Sequence, residues 1–439
     1  MTRRLFAPVD AASVALFRIA YGATLVAWAV SWLASGWIGP ALVQPPFHFT
    51  FWGFGWVRPW PGMGMWLHFG AIVALGVLVA AGLFYRVAIV LLVAAFTYAW
   101  LVEEALFQNH FYLLTLFGVL LAFIPAAGAF SLDALRHPAR AIGTVPAWGV
   151  FLLRAQMAVV YLFAGVAKLN GDWIRGEPMR SMLEATLGFP LLGGRLSSHA
   201  AALALSWGGL VFDLAIVPLL LWRRTRVAAF VAAVAFHLLN AALWPIDVFP
   251  WFAIAATTLF LAPDWPRRFL PAGARHPAPA EPSPAARTAA LALGAAYLAV
   301  QLLLPLRHLA YPGPVAWTEE GHLWAWRMMI RQKTGSTTFV VTDPARGTST
   351  SENPLRYVAP WQARIMTGNP DMILQLAHHV ADVYRARDGR RVEVRAIATA
   401  SLHHRKEQPL VDPTVDLAAA PRDLRHARWI VPLREPFPG

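Results

Sequence analysis

Four ionisable side chains stand in stretches that are otherwise apolar: His110 in FQNHFYLL, Lys168 in VVYLFAGVAKLNGDW, Asp213 in GGLVFDLAIV and His237 in AFHLLNAALWP. A charged side chain such as Lys or Asp at the centre of a bilayer costs about 2.5–3.5 kcal/mol on insertion scales, so ionisable groups there mark functional sites by default. A lysine stripped of water is a base when its amine is neutral. The same residues also have plain readings. A lysine within a turn of a helix end reaches for water as an anchor. His110, after Asn109, is a helix cap or an interface residue; His237 is an inter-helix hydrogen bond; Asp213 pairs with an arginine. Position alone leaves both readings open. His110, Lys168 and His237 come from three separate helices and fall at similar depth in the topology below, which brings a shared site level with the plain readings.

Of 439 residues, 57% are hydrophobic and only 14% charged, and mean hydropathy is positive. Apolar runs near twenty residues cross a hydrocarbon core of about 30 Å at ~1.5 Å per residue. Nine spans are predicted, at 13–34, 64–84, 87–102, 111–126, 149–169, 203–222, 227–244, 248–262 and 287–306. With the N-terminus in the cytoplasm, inner segments hold twelve arginines, Arg140 and Arg275 among them. Short outer loops hold four: Arg58, Arg175, Arg180 and Arg195. That asymmetry follows the positive-inside rule and sends everything past about residue 307 outside the cytoplasm. The first apolar stretch lacks a small-residue cleavage site and reads as a retained span. The expected fold is a polytopic α-helical membrane protein of about nine spans with a C-terminal extracytoplasmic mixed α/β domain. Its parts are 1–262 (eight spans), a Pro/Ala-rich cytoplasmic linker 263–286, a ninth span 287–306 and the outer domain 307–439.

In that last part TTFVVTD, RVEVRAIATAS and RWIVPL read as strands and PDMILQLAHHVADVYRAR as an amphipathic helix. The absence of cysteine removes disulfides and thiolate chemistry. The net charge of +13 reads as topology and lipid-headgroup contact, with no nucleic-acid partner. The pairs His378–His379 and His403–His404 lack companion ligands, so no metal is expected. Tryptophans gathered in FTFWGFGWVRPWPGMGMW read as an interfacial belt.

These stretches, taken in order, resemble vitamin K-dependent γ-glutamyl carboxylase and the wider family of its bacterial relatives. The likeness runs through FRIAYG, GLFYR, NHFYL, FAGVAKLNGDW, FHLLN, LAPDWPR, QLLLPLRHL, AWTEEGHLWAWRMM and VDPTVDL, covering nearly the whole chain. It implies that Lys168 is the base for reduced vitamin K (phylloquinol or menaquinol), assisted by His110. Asn109, His237 and Asn240 fall with the quinol site. Trp317, Trp326, Met328 and Met329 are implied in handling glutamate. His322 stands where the family has tyrosine and Arg331 where it has histidine, and both are placed with the substrate. Oxygen and carbon dioxide are the implied co-substrates, and a glutamate-containing peptide or protein and a membrane quinone the implied partners. The implied setting is a bacterial inner membrane. The base role requires an amine without a carboxylate neighbour; Asp172, four residues on, would pair with it on a continuous helix, but the helix is expected to end near Asn170. A non-catalytic quinone- or lipid-binding protein is the alternative. A transporter is disfavoured by the lack of repeated halves.

Overall fold

The computed structural model describes residues 2–138, 141–184, 198–269 and 282–434. Each predicted span contains a helix: α1 (Ala12–Ser35), α2 (Gly64–Ala81), α3 (Tyr85–Leu101), α4 (Asn109–Phe123), α5 (Ala147–Ala167), α6 (His199–Leu221), α7 (Arg226–Leu243), α8 (Phe249–Thr257) and α9 (Pro284–Leu303). Six of them, α1, α2, α5, α6, α7 and α9, are long and apolar enough to cross a membrane. The other three are shorter apolar helices, and the predicted count of nine rests on them. Arg140, Arg195, Arg275 and the linker residues 270–281 lie outside the described residues.

Small residues and rings set the packing of the bundle. A Cβ at Gly22 of α1 would lie 2.6 Å from the Gly76 carbonyl of α2, so only glycine permits that crossing. Phe17 meets Phe117 of α4 edge-on at 5.3 Å, and Trp28 stacks on Phe69 of α2 at 5.1 Å. Strand β1 (Pro8–Asp10) pairs antiparallel with β2 (Thr144–Pro146), which ties the starts of α1 and α5 together. Two arginines that sequence reasoning passed over are turned inward onto carbonyls: Arg18 onto Phe130 at 2.5 Å, Arg154 onto Leu259 at 2.7 Å and Leu261 at 3.0 Å.

Beyond α9 a four-stranded antiparallel sheet runs in the order β4 (Thr348–Glu352), β3 (Lys333–Asp343), β5 (Glu393–Leu402), β6 (Gln408–Pro409). Strand alternation puts Phe339 and Val341 of β3 and Val394, Ala396, Ala398 and Ala400 of β5 on one face. Behind the short α10 (Pro360–Met366), α11 (Pro370–Asp388) lays Ile373, Leu376, Ala377 and Val380 into the same core. The predicted strand RWIVPL is a correction: it forms only an isolated bridge, Ile430 to Val411. Gln408 and Pro409 take the edge place beside β5 instead.

The outer domain is seated on the loops of the bundle by polar side chains. Glu103 accepts from Gln362 at 2.7 Å and contacts His48 at 3.1 Å. Arg422 reaches the Thr50 carbonyl at 2.6 Å and Asp371 at 2.8 Å. Burial and the neighbouring Asp371 carboxylate raise the Glu104 carboxyl well above its ordinary range, against the pull of Arg422.

Candidate functional site

Helix α5 stops at Ala167, with Lys168 as its C-cap residue. Asn170 closes that end twice. Its Nδ2 donates to the Ala167 carbonyl at 2.8 Å, and its Oδ1 accepts from the Trp173 amide at 3.0 Å to start a short turn, Gly171–Ile174. The Trp173 indole donates to the Ser206 carbonyl of α6 at 2.7 Å. Asp172 points away from the bundle and accepts from Arg405 at 2.7 and 3.0 Å, with His403 at 2.8 Å. Burial alone would raise its carboxyl, but His403 and Arg405 outweigh burial and hold it at about 2.

Lys168 is only 7% exposed and does not reach for water. Its ammonium donates to Asp213 Oδ2 of α6 at 2.6 Å and to the Ala164 carbonyl at 3.3 Å, and lies 5.0 Å from the Trp173 ring centre. This corrects two expectations. The lysine has a carboxylate neighbour, and the partner of Asp213 is that lysine and not an arginine. Gly165 makes the approach possible: a Cβ there would sit 2.5 Å from Leu214 Cδ2 and 3.3 Å from Asp213 Cβ.

His110 and His237 meet around one ring. Phe249, the first residue of α8, lies 5.8 Å from each imidazole. His237 is fully buried, with Nε2 at 2.8 Å from the Tyr161 hydroxyl of α5. Its Nδ1 has no hydrogen-bond partner among the described residues, nor have His110 Nε2 and Asn109 Oδ1. A buried polar atom left unmatched costs about 1–3 kcal/mol. A ligand oxygen that reached any of these atoms would satisfy it. Asn240, half-buried, follows one turn after His237. Phe212 joins this group to the ion pair: it is the chain neighbour of Asp213, edge-on to Tyr161 at 5.8 Å and stacked on Phe236 at 3.8 Å.

A cavity of roughly 1370 Å³ opens between the bundle loops and the outer domain. Asn109 lines it, so the first turn of α4 borders both the cavity and the imidazole pair. Of the residues expected to handle substrate, His322, Met329 and Arg331 are on the wall. Trp317, Trp326 and Met328 stand behind it. Trp317 donates to the Val431 carbonyl at 2.7 Å within the outer core, Trp326 stacks on Tyr112 at 5.2 Å, and Met328 packs on the bundle core. Glu319 (φ 64°), Trp324 (63°), Trp326 (55°) and Met329 (56°) all have left-handed backbones. Each costs of order 1–3 kcal/mol, a strain that clusters at functional sites.

The wall is strongly polarised. Burial would raise the Glu319 carboxyl, but Arg331 and Lys333 overcome it and hold it at about 2. Burial, helped by Arg331, pushes His322 down to about 3. Burial lowers Lys333 to about 8 against the pull of Glu319. Sequence reasoning missed Tyr161, Phe249, Glu319 and Lys333. Two of these carried a signal: Tyr161 lies two helical turns before Lys168 on the same face, and Glu319 lies inside the AWTEEGHLWAWRMM stretch.

Residues 6–265 match the HTTM domain family, and residues 286–436 match the lumenal domain of vitamin K-dependent gamma-carboxylase. The chain belongs to the vitamin K-dependent γ-carboxylase family. No solved structure matches it. In this γ-carboxylase relative the first match holds α1–α8 with Lys168, His110, Asp213 and His237. The second holds α9 and the outer domain with Glu319, Arg331 and Lys333. The γ-carboxylase boundary thus puts the ninth helix with the outer domain and leaves 266–285 between the two matches.

Proposed function

We propose that this protein carboxylates the γ-carbon of glutamate in a peptide or protein, coupled to oxygen-dependent epoxidation of reduced vitamin K. One observation carries the reading. Two buried imidazole nitrogens, His110 Nε2 and His237 Nδ1, have no partner among the described residues, and both rings lie 5.8 Å from Phe249. That chemistry suits a quinol: two ring oxygens for polar atoms in an apolar wall, with the prenyl tail left to the lipid. His110, His237, Asn109 and Asn240 would hold it. The quinol supplies the reducing equivalents by which oxygen yields a base stronger than any side chain, and carbon dioxide supplies the carboxyl group.

The lysine and aspartate act as a unit that holds and moves a proton. A proton passing across the 2.6 Å contact to Asp213 leaves the Lys168 amine neutral and able to accept one. Ring packing around the imidazoles keeps water from quenching reactive species. The cavity receives the acceptor, with His322, Met329 and Arg331 on its wall and Trp317, Trp326 and Met328 supporting it. The family match and the arginine asymmetry support an N-terminus in the cytoplasm of a bacterial inner membrane and an outer domain on the far side.

The clasp on Lys168 favours a second reading, a non-catalytic quinone- or lipid-binding protein in which the pair only joins α5 to α6. Protein in lipid discs, given reduced vitamin K, oxygen, labelled bicarbonate and a glutamyl peptide, separates the two. The enzyme reading expects label in glutamate, with a loss of about 10²–10⁴-fold in His110→Ala and Lys168→Ala, the usual range for proton-transfer groups. Absence of label, with quinol retention unchanged in Lys168→Ala, establishes the binding reading instead.

A further inference from the structure

The cavity wall carries eight Arg and Lys against five Asp and Glu. Four of the cations are already engaged by acids of this chain: Arg422 by Glu104 and Asp371, Arg425 by Asp423, and Lys333 and Arg331 by Glu319. Lys333 Nζ lies 2.7 Å from Glu319 Oε1, and Arg331 contacts the same oxygen. Lys333 also donates to the Trp317 carbonyl at 2.7 Å, which fixes its direction. The other oxygen, Oε2, has only His322 Nδ1, at 4.0 Å. Glu319 and Lys333 side chains are nearly free of solvent at 6% and 4% exposure, while Arg331 is a third exposed toward the cavity. Two cations and one carboxylate leave a net positive charge, presented to the cavity through the exposed part of Arg331, which suits an anion.

The backbone of Glu319 is anchored independently of its side chain. Its amide caps the turn Val315–Thr318 by donating to the Val315 carbonyl at 2.9 Å. The carboxylate can therefore leave by side-chain rotation alone, and the space beside it is large.

We propose that Glu319 is a built-in competitor for the anion seat of this cavity. Its carboxylate occupies the place on Arg331 and Lys333 that an acidic ligand takes, and the ligand seats by displacing it. Exchange of one carboxylate for another on the same two cations keeps both of them paired. An amide cannot take part in that exchange, so Glu319 lowers the affinity for an acid and leaves that for an amide unchanged. The inference rests on the cavity being the acceptor site.

The test is binding of a short capped peptide with one glutamate, and of its glutamine counterpart, to the full-length protein in lipid discs. Glu319→Gln should tighten the glutamate peptide at least tenfold and leave the glutamine peptide unchanged. Glu319→Asp, which withdraws the carboxylate by one methylene, should tighten it by about threefold and serves where the glutamine variant does not fold. Arg331→Gln should abolish the difference between the two peptides. Unchanged or weaker glutamate binding in Glu319→Gln overturns the inference, as does equal tightening of both peptides. Binding is read without turnover, so a chain that binds as described but incorporates no label overturns the carboxylase reading alone. Failure of every variant to bind the glutamate peptide overturns both.

Discussion

If Lys168 and Asp213 form a true buried ion pair, removing one member must cost far more than removing both. The contact is 2.6 Å between nitrogen and oxygen, and both side chains are under a tenth exposed. Unit charges about 4 Å apart attract by about 4 kcal/mol at an effective dielectric of 20. Stranding one buried charge costs about 3–5 kcal/mol, whereas replacing both with apolar residues is commonly neutral or better. Lys168→Met and Asp213→Leu should therefore each lose about 4 kcal/mol, and the double variant should return to within about 1 kcal/mol of the parent. The assay is reversible unfolding in mixed micelles of the parent, both single variants and the double variant, read as a cycle. Single losses under about 1 kcal/mol, or losses that simply add, would refute a charged pair. Such a result would mean that the amine and carboxyl group sit there as neutral partners. The same proteins then report on function, because the double variant keeps the helix packing while lacking the lysine–aspartate proton carrier.

Gly165→Ala should cost about 1–3 kcal/mol by forcing α6 away from α5, because its Cβ would meet Leu214 Cγ at 2.8 Å as well as Cδ2 at 2.5 Å. Gly208→Ala, where a Cβ meets nothing within 4 Å, should be neutral or gain up to about 1 kcal/mol; equal effects at the two sites would sink the close-approach argument. Acid should loosen the join between α5 and the outer domain. Asp172 is held at about 2, below its unfolded value near 3.9, so its contribution is full above pH ~4 and is lost as pH falls toward ~2. Hydrogen exchange at 169–174 should rise across that window in the parent and be raised already at pH 7 in Arg405→Gln. A parent profile flat between pH 4 and 2 would contradict the assignment.

The helices were legible because a bilayer-length apolar run is a strong signal, and the central sheet because β3 and β5 alternate with a period of two. The strand misread at RWIVPL shows the limit. Residues 428–433 are apolar enough for a strand, yet the edge of β5 was already taken by Gln408 and Pro409, a choice made by tertiary pairing. At the site, depth along separate helices groups His110, Lys168 and His237; the two imidazoles share Phe249, whereas Lys168 is held by Asp213 and has no contact with either ring among the described residues. Partner choice was not legible. Spacing of four residues sets Asp172 against Lys168 only if α5 continues, and Asn170 ends it, with Oδ1 and Nδ2 both used in the break. Once the helix stops, Asp172 faces His403 and Arg405, 231 and 233 residues away in sequence. Asp213 is left as the carboxylate within reach, admitted by the missing side chain of Gly165. The partner of Lys168 is thus set by where one asparagine ends a helix and where one glycine lets two helices touch.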